Sequence, residues 1–148
     1  MRETFTSELK VAMKAGDRPR VDAIRMIMAA LKDRDIEARG AGRQVADDDI
    51  LALLQKMVKS RRESLEIYEK AGRADLAGKE AGEIAVIESF LPSPLGEAEV
   101  EAAIEQAVAA TGAASIRDMG KVVAALKGQY AGRMDFGKAS AMVKARLG

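Results

Sequence analysis

The sequence predicts an all-α protein made of an N-terminal helical domain and a small C-terminal three-helix domain. Three observations predict it. The 148 residues include only two tyrosines, three phenylalanines and three prolines, against an abundance of Ala, Leu, Glu, Lys and Arg. Those residues lose little rotamer freedom in helices, whereas strands favour β-branched and aromatic types. Apolar residues also recur at spacings of three and four along most of the chain, the signature of amphipathic helices. Finally, Leu91-Pro92-Ser93-Pro94 interrupts the pattern: a residue before proline avoids the α region, and two prolines in three positions cannot continue a helix. The domains are placed at 1–91 and 95–148.

Taken in order, residues 4–15 put Phe5, Leu9, Ala12 and Met13 on one face, and Gly16 ends that helix. Pro19, just after Asp17, suits the first turn of the next. That second helix runs to about Arg39 with Val21, Ile24, Met28 and Leu31 inward, and Gly40 and Gly42 open a turn. Asp47, Asp48 and Asp49 precede a third helix whose stripe is Ile50, Leu54, Met57, Leu65 and Tyr68, closing at Gly72. A fourth, over 75–90, turns Leu76, Ile84, Ile87 and Leu91 inward. Its Gly78, Gly82, Ala85 and Ser89 suggest a close helix crossing, although each interior glycine costs about 1 kcal/mol against alanine. Beyond the prolines, three shorter helices are expected at 97–110 (Val100, Ile104, Val108), 115–127 (Ile116, Met119, Val123, Leu126) and 135–147 (Phe136, Ala139, Val143, Leu147). Thr111-Gly112 and the stretch 128–132 form the turns between them.

Composition excludes much chemistry. With no cysteine and no histidine, the chain lacks thiol nucleophiles, Ser-His and Cys-His pairs, imidazole acid-base groups and zinc ligands of nitrogen or sulfur. No cofactor or metal site is expected. The longest apolar run, 26–31, falls far short of the roughly 20 residues that span a bilayer, so no membrane role is expected. Residues 1–16 carry Glu3 and Glu8 and no continuous apolar stretch, which gives the expectation of a soluble, cytoplasmic protein.

Three charged or glycine-bearing stretches are weighed as sites. Gly132-Arg-Met-Asp-Phe-Gly137-Lys138 fits the first seven positions of GxxxxGK[ST], but Ala139 stands where the magnesium-binding hydroxyl belongs and no strand precedes it. It reads as a turn with Asp135 as N-cap. The acids at 47–49 lack the spacing of a calcium loop and read as helix-start residues favoured by the dipole. Lys59, Arg61 and Arg62 lie among Glu63, Glu66 and Glu69, and Glu66 to Lys70 and Glu69 to Arg73 have the favourable i to i+4 order of a solvated, salt-bridged face.

Overall charge is balanced, 24 basic against 23 acidic residues, but residues 115–148 carry +5 from Arg117, Lys121, Lys127, Arg133, Lys138, Lys144 and Arg146 against Asp118 and Asp135. The preceding helix offsets this with Glu97, Glu99, Glu101 and Glu105. Such a one-sided field is what a backbone-contacting nucleic-acid surface requires, because each cation placed on a phosphate releases a counterion.

Gly72-Arg73-Ala-Asp75-Leu76-Ala77, Glu80 with Glu83-Ile84, Phe90-Leu91-Pro92, and above all Asp118-Met119-Gly120-Lys121-Val122 followed by Gly132-Arg133 and Val143, resemble the GatB/YqeY family. The resemblance covers nearly the whole chain and matches a stand-alone YqeY-like protein in length. Val123, where members often carry Met, and Met134-Asp135-Phe136, where Ala-Asp-Gly is usual, depart from it. The resemblance implies a helical domain followed by a domain like the tail of the GatB subunit of glutamyl/aspartyl-tRNA amidotransferase. That tail helps hold the tRNA body, while activation and glutamine hydrolysis occur in other domains and subunits.

The leading expectation is therefore a tRNA-binding or tRNA-aminoacylation/amidation accessory protein. Its site would comprise Lys121, Lys127, Arg133, Lys138, Lys144 and Arg146, with Gly120 serving either close backbone approach or helix packing. Its partners would be tRNA and a tRNA-modifying or aminoacylating enzyme. One alternative is a component of a glutamine-dependent amidotransferase, with carbon-nitrogen ligase activity using glutamine as amido-N-donor, active only in complex. Another is a helical protein-interaction module using the 59–73 face. No catalytic residues are assigned, since no nucleophile has a base beside it.

Overall fold

Seven helices and one 3₁₀ turn, with no strand, make up the regular structure of the computed structural model, which describes residues 1–148. They are α1 (Arg2–Ala15), α2 (Arg18–Gly40), α3 (Asp47–Lys70), α4 (Ala74–Glu88), α5 (Glu97–Thr111), the 3₁₀ turn Ile116–Asp118, α6 (Met119–Tyr130) and α7 (Phe136–Leu147). The chain is all-α, as its composition and periodicity predict. It packs as two compact units, Met1–Leu91 and Pro92–Gly148.

In Met1–Leu91 the helix ends follow local chemistry. Gly16 adopts the left-handed conformation at φ 69°, where a side chain would be strained, and Asp17 N–H returns to the Ala12 carbonyl at 3.0 Å. The Asp17 carboxylate then caps α2, accepting from the Arg20 N–H at 3.2 Å, with Pro19 in the first turn. The acidic triplet forms the first turn of α3, and Asp49 reaches back to accept from the Ala46 N–H at 2.9 Å. Phe5, Ile24, Ile27, Ile50, Leu54 and Ile87 are fully buried at the centre. Phe90 meets Phe5 edge to face at 5.0 Å, an arrangement worth about 0.5–1.5 kcal/mol beyond area burial. The Arg20 guanidinium lies over the Phe90 ring at 5.4 Å and pairs with Glu8 at 3.1 Å.

The core differs from the predicted stripes in instructive places. Met13 is 53% exposed because Ala12, one residue earlier, takes the inward position. Ile27, Leu53 and Val58 join the core, while Leu65 and Tyr68, toward the far end of α3, are only half-buried. The expected close crossing at Gly78 and Gly82 does not occur: a Cβ at either position meets nothing within 4 Å. Helix α4 packs through Ala77, Ile84 and Ile87 instead, so its small-residue stripe faces solvent.

Arg61 also departs from its expected solvated role. Its Nε donates to the Glu83 carboxylate at 3.1 Å, with the two side chains only 16% and 19% exposed, and a second nitrogen donates to the Met57 carbonyl at 3.2 Å. One turn of α3 is thereby clamped to α4. The neighbouring Arg62 pairs with Glu88, while Arg73 turns to Asp75 at 3.3 Å and not to Glu69. The Glu66–Lys70 pair forms as the spacing predicts, at 3.0 Å.

In Pro92–Gly148 the core comprises Ala103, Ile104, Ala107, Val108, Val122, Leu126, Met134, Ala139 and Val143. Ile116, expected inward, is 46% exposed. Residues 116–118 form a tight 3₁₀ turn ahead of α6, which changes the helical phase and brings Val122 inward in place of Val123. Helix α6 continues through Gly128 to Tyr130, which confines the turn to 131–135. The proline segment is tied down from within this unit. Leu95 N–H donates to the Arg133 carbonyl at 2.8 Å, and Arg133 Nε donates to the Ser93 carbonyl at 3.0 Å.

Two outcomes follow from these ties. Arg61→Ala leaves Glu83 poorly exposed and unpaired; its cost, between that of an exposed pair and a buried one, is expected near 1–2 kcal/mol. The thermal midpoint should drop by roughly 4–16 °C, whereas Arg62→Ala, on the exposed pair, should shift it far less. Arg133→Ala should speed limited proteolysis within 91–96, mapped by mass spectrometry, without loss of helix content by circular dichroism.

Candidate nucleic-acid interface

The basic residues of the C-terminal unit divide into two classes by what they touch. Lys121 and Lys127 sit in the first and last turns of α6, and Lys138 and Lys144 in the first and last turns of α7. All four are exposed and none forms a salt bridge. Each pair is separated by six residues, which at 3.6 residues per turn sets its members about 120° apart around the helix axis. The four lysines therefore cannot lie on one line, and about one from each helix faces a given strand of phosphates.

Of the three arginines, Arg133 and Arg146 are engaged within the unit, while Arg117, in the 3₁₀ turn, is exposed. Arg146 Nε donates to Glu105 at 2.6 Å, tying α7 to α5, and this bond raises the already high pKa of the guanidinium. Arg133 is half-buried and holds the Ser93 carbonyl. Gly120, the second residue of α6, is exposed, and a Cβ there meets nothing within 4 Å. No neighbouring helix presses against it, so packing inside the chain does not account for the glycine.

Acidic groups shape the same surface. Asp118 accepts from the Ala114 N–H at 2.9 Å and the Ser115 N–H at 3.3 Å. These bonds, with a smaller contribution from nearby Lys121, hold its carboxyl below the usual aspartate range. Asp135 caps α7, accepting from the Gly137 and Lys138 N–H groups at 2.9 and 3.2 Å. The backbone donors that a phosphate-cradling loop would aim at its ligand are thus occupied by the chain's own carboxylate, as the N-cap reading of this stretch anticipates. Glu97, Glu99 and Glu101 stand exposed on α5.

No catalytic constellation is assembled. Ser140 and Thr111 hydroxyls donate to carbonyls of their own helices, Phe136 and Ala107, both at 2.7 Å. No polar or charged residue is buried, and no group of three or more carboxylates is placed to hold a metal ion. None of the helices is long and apolar enough to cross a membrane. One cationic feature escaped the sequence reading: a cleft in Met1–Leu91 between the end of α2 and the start of α3, whose rim carries Arg34, Arg43 and Lys56. These residues lie on α2, a loop and α3, and no local motif joins them.

Comparison with known proteins places this architecture. The model of the YqeY-like protein family matches residues 2–147. The chain belongs to the YqeY-like family. Its relatives include proteins named altered inheritance of mitochondria protein 41, mitochondrial. The one from Pyrenophora tritici-repentis is 30% identical over 130 residues, covering 83% of this chain and 69% of that protein. The one from Lachancea thermotolerans is 32% identical over 99 residues, 66% of this chain and 52% of the relative. That from Vanderwaltozyma polyspora is 31% identical over 86 residues, 58% and 45% respectively. Against the latter two, the matched region spans about half of the relative's length.

These relatives overturn the cytoplasmic expectation. They are mitochondrial by name, and the pattern of residues 1–16, on which that expectation rested, does not outweigh them.

The depressed Asp118 pKa carries a sign. The unfolded chain binds a proton at Asp118 more readily than the folded one, so stability rises with pH across this range. The contribution is present above about pH 4 and is lost as pH falls through the lower folded value. Asp118→Asn retains a neutral acceptor, and its thermal midpoint should fall less steeply than wild type between about pH 5 and about pH 2.5; equal slopes would remove Asp118 as a contributor.

Proposed function

We propose that this YqeY-like chain binds tRNA through the lysines of α6 and α7 and serves as an accessory to a tRNA-modifying or aminoacylating enzyme. The observation that carries the reading is the set of four exposed, unpaired lysines, Lys121, Lys127, Lys138 and Lys144, on a unit whose Arg133 and Arg146 are held by internal partners. Unpaired surface cations need no internal bond to break before they meet a phosphate. The engaged arginines reduce the contacts to about two at a time, one lysine from each helix. The logarithm of affinity should then fall against the logarithm of salt with a slope of roughly −1.4 to −1.8.

Amidotransferase chemistry is supported less well. With no cysteine or histidine, the chain lacks the nucleophile–base pairs such chemistry commonly uses, and on this reading the nucleophile for glutamine would come from another chain. The purified protein should show no glutamine hydrolysis above background in an ammonia-release assay.

Filter binding or fluorescence anisotropy with tRNA tests the leading reading. Lys121→Glu with Lys138→Glu should weaken binding by roughly tenfold or more at low salt and bring the salt slope toward zero. Helix content and thermal midpoint should be nearly unchanged, since exposed substitutions usually cost within about 0.5 kcal/mol. Wild-type affinity and slope both in this double variant and in Lys127→Glu with Lys144→Glu would remove this face as the site. The 59–73 face of α3, with Ile67 65% exposed, would then be the better account, as a protein-interaction surface.

A further inference from the structure

We propose that the cleft between the C-terminal end of α2 and the start of α3 is a binding site for a phosphate group. The cleft has a volume of about 240 Å³. This is near the lower end of small-ligand pockets, which begin at about 300 Å³, so it suits a phosphate or diphosphate and not a large ligand. Ala38 and Leu53 line its interior and are nearly fully buried, and Val45 is half-buried beside them. Three cations reach its rim from separate elements: Arg34 from α2, Arg43 from the connecting loop and Lys56 from α3.

The balance of charge inside the cleft favours an anion. Arg43 and Lys56 form no salt bridge, and Arg34 meets only Glu37, at 3.8 Å with the Glu37 side chain 75% exposed. An exposed pair at that distance is worth little, so Arg34 can turn to a ligand at small cost. The other carboxylate on the rim, Asp49, is held by the Ala46 N–H at 2.9 Å and keeps its charge, so the rim carries three cations against two carboxylates. Two arginines offer planar forks matched to phosphate oxygens, and a lysine adds a point charge. Three cations lining one cleft suit a dianionic phosphate better than a single carboxylate. The position is independent of the lysines of α6 and α7, which lie in the other compact unit.

Proton–nitrogen correlation spectra of the full-length chain, titrated with inorganic pyrophosphate at low ionic strength, test the site. Saturable shifts are expected at the amides of 38–49 and Lys56 and at the Nε–H signals of Arg34 and Arg43. Arg43→Ala with Lys56→Ala should weaken binding at least tenfold, and Arg34→Gln alone should weaken it several-fold while keeping the salt-bridge loss trivial. Lys121→Glu with Lys138→Glu should leave it unaltered, which separates this site from the tRNA surface. A 5′-phosphorylated oligoribonucleotide identifies the source. Displacement of pyrophosphate from the same amides indicates an RNA phosphate, and shifts with pyrophosphate alone indicate a free phosphorylated compound; either supports the site. Linear, unsaturated shifts spread over the basic surface, or unchanged affinity in Arg43→Ala with Lys56→Ala, would overturn it.

Discussion

The first unit depends on holding α4, an intrinsically weak helix, in place. Gly78 and Gly82 lie in its interior and touch nothing that would require them, so each costs helix stability, about 1 kcal/mol relative to alanine, without a packing return. Fifteen residues with that composition would be marginal alone. Helix α4 persists because it lies along α3 and also packs on α2, burying Ala77, Ile84 and Ile87. Arg61–Glu83 and Arg62–Glu88 fasten its central and last turns to α3. Just beyond it, Phe90 completes the contact by packing on Phe5 under Arg20. The N-terminal helix is thus joined to the end of the unit through one aromatic pair and one guanidinium.

The second unit is organised by short-range carboxylate chemistry. Asp118 and Asp135 each gather two backbone N–H groups at the starts of adjoining elements. The anions therefore sit where helix N-terminal donors and the macrodipole favour them. Arginine and lysine take different places for a physical reason. The guanidinium fork makes directed bonds to a carbonyl or carboxylate, as Arg133 and Arg146 do, while the ammonium is a strongly hydrated point charge on a flexible stem. Arg133 and Arg146 fix the unit's internal geometry and leave the four lysines and Arg117 as its outward charge. A surface of that kind favours sequence-tolerant phosphate contact over base reading, since base edges are read by directed donors and acceptors.

How far the sequence could be read follows from the range of the interactions. All helices and most caps were legible, because Gly16, Asp17, Pro19, Asp135 and the proline pair act within four residues of themselves. Central stripe positions such as Ile24, Leu54, Ile87 and Leu126 were legible from period alone. The misses involve partners distant in sequence. Arg61 looks solvated when only its neighbours at i+4 are considered, but its partner Glu83 lies 22 residues away. Arg146 counts as free positive charge until Glu105, 41 residues earlier, is placed beside it. The glycine stripe of α4 misled because small residues are permissive of close approach without requiring it. Ile116 was assigned to a regular helix, and a three-residue 3₁₀ turn was enough to rotate it outward. The four lysines of the candidate surface were legible in identity but not in arrangement, since net charge carries no angle.

The two cationic features of the molecule also differ in how the solvent treats them. The lysines of α6 and α7 stand on convex helix surfaces with water on every side, and at physiological salt a charge more than about 8 Å away is largely screened from each of them. Such contacts act singly, and the separation of about 120° between lysines on each helix keeps them from acting together on one phosphate. The cleft between α2 and α3 instead brings charges from three elements to one concave rim over Ala38 and Leu53. Apolar walls lower the local dielectric and focus the field on the space they enclose. Three cations there strengthen one another's hold on a single anion, at the expense of repelling each other when it is absent. Glu37 and Asp49, the carboxylates that share the rim, offset part of that repulsion and leave the rim with one net positive charge. The outward lysines, dispersed around two helices, form no salt bridge with a carboxylate.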